Sequence, residues 1–318
     1  MKFESFSFAP ELLRAIAECG YQTMTPIQRQ AIPAIRRGED VLASAQTGTG
    51  KTAAFALPIL QKMMEKPKDR IASNTRVLIL TPTRELAAQV ADNITAYGKY
   101  MDINVLTIYG GVKMDSQAVK MKRGTDVIVA TPGRLLEHIL SCNLSLSHVD
   151  FLVLDEADRM LDMGFSADIE KIMQAVNKNR QNLLFSATFS TAVKKLANEM
   201  LNKPKIIAAN NQNSTADTIS QVVYPVEQRR KRELLSELIG TKNWHKVMVF
   251  SATREDCDRL VTELNLDGIP TSVVHGEKAQ GSRRRALREF MEGKIRVLVS
   301  TEVAARGLDI PDLQYVVN

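Results

Sequence analysis

Short apolar runs alternate with helix-patterned stretches along this chain, and that alternation restricts the fold more than any other feature. In the first part the runs are "DVLAS" (40–44), "RVLILTPT" (76–83), "INVLTIYGG" (103–111), "DVIVATPG" (126–133), "FLVLDEAD" (151–158) and "NLLFSAT" (182–188). Strands this uniformly apolar suit a sheet covered on both faces. The helical period shows between them. Phe165, Ile169, Ile172, Met173 and Val176 fall at i, i+4, i+7, i+8 and i+11, which predicts one buried helix face. The expected class is α/β, with parallel sheets flanked by helices.

A length of 318 residues favours two domains. The stretch "AANNQNSTADT" (208–218) is polar and lacks large apolar residues. It reads as a linker rather than a long loop of one domain, because the strand–helix alternation restarts beyond it. The expected division is a first domain 1–208, a linker 209–218 and a second domain 219–318. The second part repeats the design with "QVVYPV" (221–226), "KVMVFSAT" (246–253), "TSVVHG" (271–276), "IRVLVSTE" (295–302) and "YVVN" (315–318). The last run reads as a buried strand with no covering helix after it, so the second domain is expected to be incomplete.

Composition narrows the class further. No stretch reaches the ~18 apolar residues of a membrane helix, and "MKFESFSFAP" lacks the apolar core of a signal peptide. Cys19, Cys142 and Cys257 form no CxxC pair, and His138, His148, His245 and His275 show no ligand spacing. That argues against a disulfide framework or zinc site and suits a reducing cytoplasm. A net charge of +6 fits an anionic partner such as nucleic acid.

The chemistry gathers at the expected carboxyl ends of strands, where open α/β sheets bind ligands. "AQTGTGKT" (Ala45–Thr52, with Thr47, Gly48, Thr49 and Gly50) has the form of a phosphate nest at a helix start, a Walker A loop. Lys51 can reach β- and γ-phosphates, and the Thr52 hydroxyl can reach Mg²⁺. "LVLDEADRML" (152–161) ends an apolar run in Asp155, Glu156 and Asp158. Carboxylates crowded in this way need a cation or water beside them. Mg²⁺ brought by a nucleotide supplies it: Asp155 holds the ion partly through water, Glu156 orients and deprotonates an attacking water, and Asp158 accepts hydrogen bonds from another strand-end loop. The competing reading, a solvated acidic helix start, weakens because the phosphate nest ends a different strand.

These residues resemble the ordered motifs of DEAD-box ATP-dependent RNA helicases of superfamily 2: "AQTGTGKT", "PTRELA" (82–87), "TPGR" (131–134), "DEAD" (155–158), "SAT" (186–188) and "ARGLD" (305–309), with "GY" (20–21) and "TPIQ" (25–28) similar to the adenine-reading Q motif. "ASAQTGTGKTAAF" and "HGEKAQGSRRRAL" resemble the bacterial RhlE-like subgroup. The resemblance implies two RecA-like domains, ATP and Mg²⁺ as cofactors, and a single nucleotide facing both domains. It implies that Gln28 reads adenine, that Phe3 stacks on the base, and that Ser186 and Thr188 couple nucleotide to RNA. RNA contacts are implied at Arg84, Gly110, Gly111, Thr131 and Arg134, and at Gln280, Arg283 and Thr301 in the second domain. Arg306 and Asp309 are implied to face ATP. Without the resemblance, Gln28 caps a turn, Phe3 fills a core, Ser186 and Thr188 form an ordinary turn, and Arg84 and Arg134 pair with Glu85 and Glu137. The basic run "RRKR" (229–232) is a nucleic-acid patch, a localisation signal or, as the following "ELLSELI" favours, a solvated helix start.

Three positions depart from the family pattern. Met24 stands where proline is usual, with a small expected loss of turn rigidity, and Glu302 stands where Asp is usual. The motif HRxGRxxR, source of the arginine finger, is absent, so weak hydrolysis is expected of this chain alone. The expected function is unwinding of short RNA duplexes coupled to ATP hydrolysis, by a cytoplasmic monomer working with ribosome-assembly or RNA-decay proteins. The alternatives are a nucleotide-gated RNA clamp, a DNA-directed ATPase of the same superfamily, and a metabolic kinase.

Overall fold

The computed structural model describes residues 2–45, 48–67, 75–208, 220–305 and 310–318. The chain forms two compact units, Met1–Ser214 and Thr215–Asn318. The linker expected at 209–218 lies outside the described residues.

In the first unit the strands are β1 (Val41–Ser44), β2 (Val77–Leu80), β3 (Val105–Ile108), β4 (Val127–Ala130), β5 (Phe151–Leu154), β6 (Gln181–Ser186) and β7 (Lys205–Ala208). They form one sheet in the order β3-β4-β2-β5-β6-β1-β7, and every pairing is parallel. A short 3₁₀ turn, Phe3–Phe6, leads into the helices α1 (Pro10–Glu18), α2 (Pro26–Arg37), α3 (Lys51–Glu65), α4 (Arg84–Tyr97), α5 (Met114–Met121), α6 (Pro132–Leu140), α7 (Ala157–Asp162), α8 (Ser166–Ala175) and α9 (Thr191–Met200).

The alternation of side chains along each strand explains the two layers. Val41, Ala43, Val77, Ile79, Val127, Val129, Val153, Leu183 and Phe185 face one core, shared with Ile32 of α2, Leu57 of α3 and Val90 of α4. Their neighbours Leu42, Leu78, Leu80, Ile128, Leu152, Leu154 and Leu184 face the other, shared with Leu135 of α6, Ile169 and Ile172 of α8 and Leu196 of α9. The predicted helix face at 165–176 is therefore the face of α8 that covers the sheet. Phe55 and Phe185 meet at a centroid distance of 5.3 Å in the first core, and both are fully buried. Phe185→Ala should lower the unfolding free energy by about 3–5 kcal/mol, measured as a shift of the urea midpoint. Met24, in the place where proline is usual, is buried in this same core. Its contribution is packing.

The second unit carries β8 (Val247–Phe250), β9 (Thr271–Val274), β10 (Val297–Ser300) and β11 (Tyr315–Val317), with α10 (Lys231–Thr241), α11 (Arg254–Leu266), α12 (Gln280–Met291) and the short α13 (Glu302–Ala305). Its sheet runs β11-β8-β10-β9 and is also parallel. Val247, Val249, Val297 and Val299 pack with Ile239, Cys257 and Leu264. Leu298 on the opposite face packs with Ala286 and Phe290.

Two expectations are corrected here. Residues 221–226 form no strand, and Val222 and Val223 are exposed: an apolar run without a partner strand leaves its backbone groups to water. The run at 315–318 does form a strand, but at the sheet edge and half-exposed rather than buried. The basic run at 229–232 is a solvated helix start. Arg229 pairs with Glu227 at 2.7 Å, Arg230 with Glu233 at 3.2 Å and Arg232 with Asp267 at 2.7 Å.

Candidate functional site

β1, β6 and β5 are neighbours, and their carboxyl ends bring together three of the sequence motifs. β1 ends at Ser44, and α3 begins at Lys51 after the phosphate-nest loop. Ala45 donates its N–H to the Ser186 carbonyl at 3.0 Å, and the Ser44 hydroxyl donates to the Ala187 carbonyl at 3.3 Å. Gly50 caps α3 with φ +85°. A Cβ there would come within 2.4 Å of Gln28 Nε2. Conformation and space both demand glycine at this position. Gly48 is exposed, Thr49 and Thr52 are half-buried, and Thr47 lies outside the described residues.

Lys51 is 6% exposed and Asp155 2%. Lys51 Nζ and Asp155 Oδ1 stand 3.8 Å apart. That is too long for a hydrogen bond, and neither atom has a hydrogen-bond partner among the described residues. Burial pushes the Asp155 carboxyl above its usual range, against the pull of Lys51. A buried cation and a buried carboxylate, each with unused bonding capacity, fit an anion beside the lysine and a cation beside the acid. The described residues contain no cluster of three His, Cys, Asp or Glu that could cage a metal. Asp155 and the Thr52 hydroxyl are hard oxygen donors of the kind Mg²⁺ takes while keeping most of its water.

Glu156 follows in the left-handed region, φ +56°, a strained conformation for a side chain and one concentrated at functional sites. It is buried, and Arg159, one helical turn on, donates Nη1 to its Oε2 at 2.9 Å. Asp158 Oδ2 accepts from both the N–H and the hydroxyl of Thr188, each at 3.0 Å. The Ser186 hydroxyl donates to the Thr188 carbonyl at 2.8 Å. The β6-end loop is thus fastened to the acid cluster, in the hydrogen-bonding arrangement the sequence predicts for Asp158.

Gln28 lies in the first turn of α2. Its Oε1 accepts from the Thr25 N–H at 3.0 Å, completing a capping box. Its Nε2 donates to the Gly50 carbonyl at 3.2 Å. A carboxamide has two donors and two acceptor lone pairs, so these bonds leave a donor and an acceptor for a base. Phe3 is buried in the core, its ring stacked on Tyr21 at 6.3 Å. It occupies the core-filling position, and Tyr21 is the partly exposed ring of the pair.

The remaining candidates of the first unit flank one loop. Arg84 opens α4, and its guanidinium lies against Gly110 and Gly111. A Cβ at Gly111 would come within 2.1 Å of Arg84 Nη1, and the residue has φ +80°. Arg134, on α6, donates to the Val112 carbonyl at 2.6 Å and pairs with Glu137 at 2.8 Å, the acidic partner considered from sequence. Thr131 is the buried N-cap of α6, with no hydrogen bond from its side chain to the helix. In the second unit Gln280 begins α12, Arg283 is buried in its first turn, and the Thr301 carbonyl accepts from the Ser300 hydroxyl at 3.0 Å. Arg306 and Asp309 lie outside the described residues. Arg159 and Ser44 escape the sequence reading, and Tyr21 enters it only within the "GY" pair beside the Q motif. Only the i, i+3 spacing of Glu156 and Arg159 carried a signal.

The DEAD/DEAH box helicase model matches residues 25–196, and the helicase conserved C-terminal domain model matches residues 230–318. The chain belongs to the DEAD/DEAH box helicase family. It is 42% identical over 322 residues to "ATP-dependent RNA helicase RhlB" of Pseudomonas aeruginosa, an alignment covering 100% of this chain and 81% of that protein. It is 40% identical to "DEAD-box ATP-dependent RNA helicase CshA" of Geobacillus kaustophilus, covering 99% of this chain and 67% of that one. Among solved structures, S. cerevisiae Dbp5 bound to RNA and ADP BeF3 is similar with a TM-score of 0.87 and 30% identity, covering 100% and 80% of the two chains. A DEAD box protein from the hyperthermophile Methanococcus jannaschii is similar with a TM-score of 0.61 and 35% identity, covering 99% and 84%. Both units of this family member accordingly have the RecA-like fold. No helix among the described residues is long and apolar enough to cross a membrane.

Proposed function

We propose that this chain is an ATP-dependent RNA helicase that grips RNA by its backbone and opens short duplexes locally. The observation that carries the nucleotide half is the Lys51–Asp155 pair, buried at 3.8 Å, with Lys51 Nζ and Asp155 Oδ1 lacking hydrogen-bond partners among the described residues. Lys51 binds the β- and γ-phosphate oxygens, and Gln28 reads the adenine edge with its remaining donor and acceptor. Asp155 and Thr52 would hold Mg²⁺, which would supply charge neutralisation at the phosphates. Glu156, steadied by Arg159, orients the attacking water and takes its proton. The bonds Asp158–Thr188 and Thr188–Ser186 link this chemistry to the loop after β6.

RNA recognition rests on different features. Arg84 and the Gly110–Gly111 backbone bring a guanidinium and flexible main chain together, a combination suited to phosphate contacts. Gln280, Arg283 and Thr301 are the corresponding proposals in the second unit. Contacts to phosphate and 2′-hydroxyl select RNA without reading sequence. As an RhlE-like helicase it acts in the cytoplasm, in ribosome assembly or RNA turnover.

The test is displacement of one strand from a short RNA duplex, with ATP or ADP. ATP-dependent displacement is the expected result. Nucleotide-dependent RNA retention without displacement would make the chain a clamp, and equal competition by matched DNA would remove the RNA preference. Gly111→Ala should push Arg84 aside and weaken RNA binding about five- to tenfold, with ATP binding in the absence of RNA unchanged. Fluorescence anisotropy with a labelled single strand reads the difference.

A further inference from the structure

The N-terminal segment is tied to the helices of the nucleotide site by polar groups that the mechanism above does not use. Arg36, in the last turn of α2, donates Nη1 to the Phe6 carbonyl. Its Nη2 meets Glu65 Oε1, in the last turn of α3, at 3.2 Å. Gln61, one turn earlier on α3 and buried, donates Nε2 to the same Glu65 oxygen at 3.0 Å. Gln61 Oε1 in turn accepts the Ala9 N–H at 2.7 Å. Two backbone groups of the segment are thereby satisfied by side chains of two different helices, around one shared carboxylate. The Arg36 guanidinium also lies 5.9 Å from the Phe8 ring centroid.

The same two helices begin at the nucleotide site. α2 carries Gln28 in its first turn, and α3 starts with Lys51. Gln28 Nε2 bonds the Gly50 carbonyl at that end. α2 and α3 are thus braced twice, once at the base-reading amide and once at the Arg36–Gln61–Glu65 clamp. At a rise of about 1.5 Å per residue, the clamp sits about 12–21 Å along the helices from the site. Between these two polar ties the helices pack along their apolar faces, with Ile32 and Leu57 in one core.

We propose that Arg36, Gln61 and Glu65 are positioning residues that hold segment 2–9 and α2 in register with α3, and so make the grip selective for a whole adenosine nucleotide over a bare triphosphate. This rests on the ATP reading above and extends it to residues that touch no ligand.

The experiment is titration calorimetry with Mg²⁺ and either a non-hydrolysable ATP analogue or inorganic tripolyphosphate. Wild type is compared with Arg36→Ala, Glu65→Ala and Glu65→Gln, after circular dichroism has established that each is folded. Arg36→Ala and Glu65→Ala should each weaken the ATP analogue about five- to tenfold and leave tripolyphosphate unchanged. Glu65→Gln keeps an acceptor oxygen for both donors and should restore most of the affinity. Equal losses for both ligands would show general loosening and overturn the proposal, as would no loss for either. If wild type itself bound the analogue no better than tripolyphosphate, the base reading would fail, and the clamp with it.

Discussion

Lys51→Met lowers RNA-stimulated ATP hydrolysis by about 10²–10³-fold, the size expected when a preorganised charge is removed from a desolvated phosphoryl-transfer site. The lysine is held almost without water, and its ammonium stands 3.8 Å from the Asp155 carboxylate with no hydrogen-bond partner among the described residues. That cation interacts strongly with an arriving triphosphate because no solvent competes. Methionine keeps most of the volume and removes the charge. Asp155, whose carboxyl burial pushes upward against the pull of Lys51, loses that offsetting cation. The variant should fold, with thermal unfolding close to wild type, while ATP binding and phosphate release both collapse. Loss of folding together with activity would show that Lys51 is a structural cation.

Glu156→Gln should lower turnover by about 10²–10⁴-fold, the range for loss of a general base, and leave ATP and RNA binding intact. The amide occupies the same space and keeps an oxygen for Arg159, so the left-handed backbone at φ +56° need not change. What disappears is the capacity to take a proton from water. RNA release in the presence of ATP should then be slower than from wild type, because the step that resets affinity is blocked. A labelled-RNA chase measures this. Release as fast as wild type would break the link between hydrolysis and RNA affinity.

The sheets were legible because parallel strands buried on both faces leave unbroken apolar runs. Val77–Leu80 is buried at every position, and so is Val127–Ala130. β7 was not legible: only one of its four residues is buried at the sheet edge, so selection for apolar side chains is weak there. The opposite error, at 221–226, has the same origin. Val222 and Val223 satisfy the composition of a strand, but pairing is a property of neighbours, which composition does not contain.

The acid cluster and phosphate nest could be read because charged and glycine residues interrupt apolar surroundings where no packing role accounts for them. Gln28 was only half-readable, since capping and base recognition draw on different atoms of one amide. Phe3 looks the same in sequence whether it faces a ligand or a core. The Arg36–Gln61–Glu65 clamp was invisible: its members lie 25 and 4 residues apart and meet only once α2 and α3 pack.

The most direct measurement is a crystal structure with Mg²⁺ and a non-hydrolysable ATP analogue. The γ-phosphate should lie about 3 Å from Lys51 Nζ, with the metal on the Asp155 side of the triphosphate. A triphosphate bound elsewhere, with Lys51 still facing Asp155 alone, would contradict the nucleotide site and the mechanism built on it.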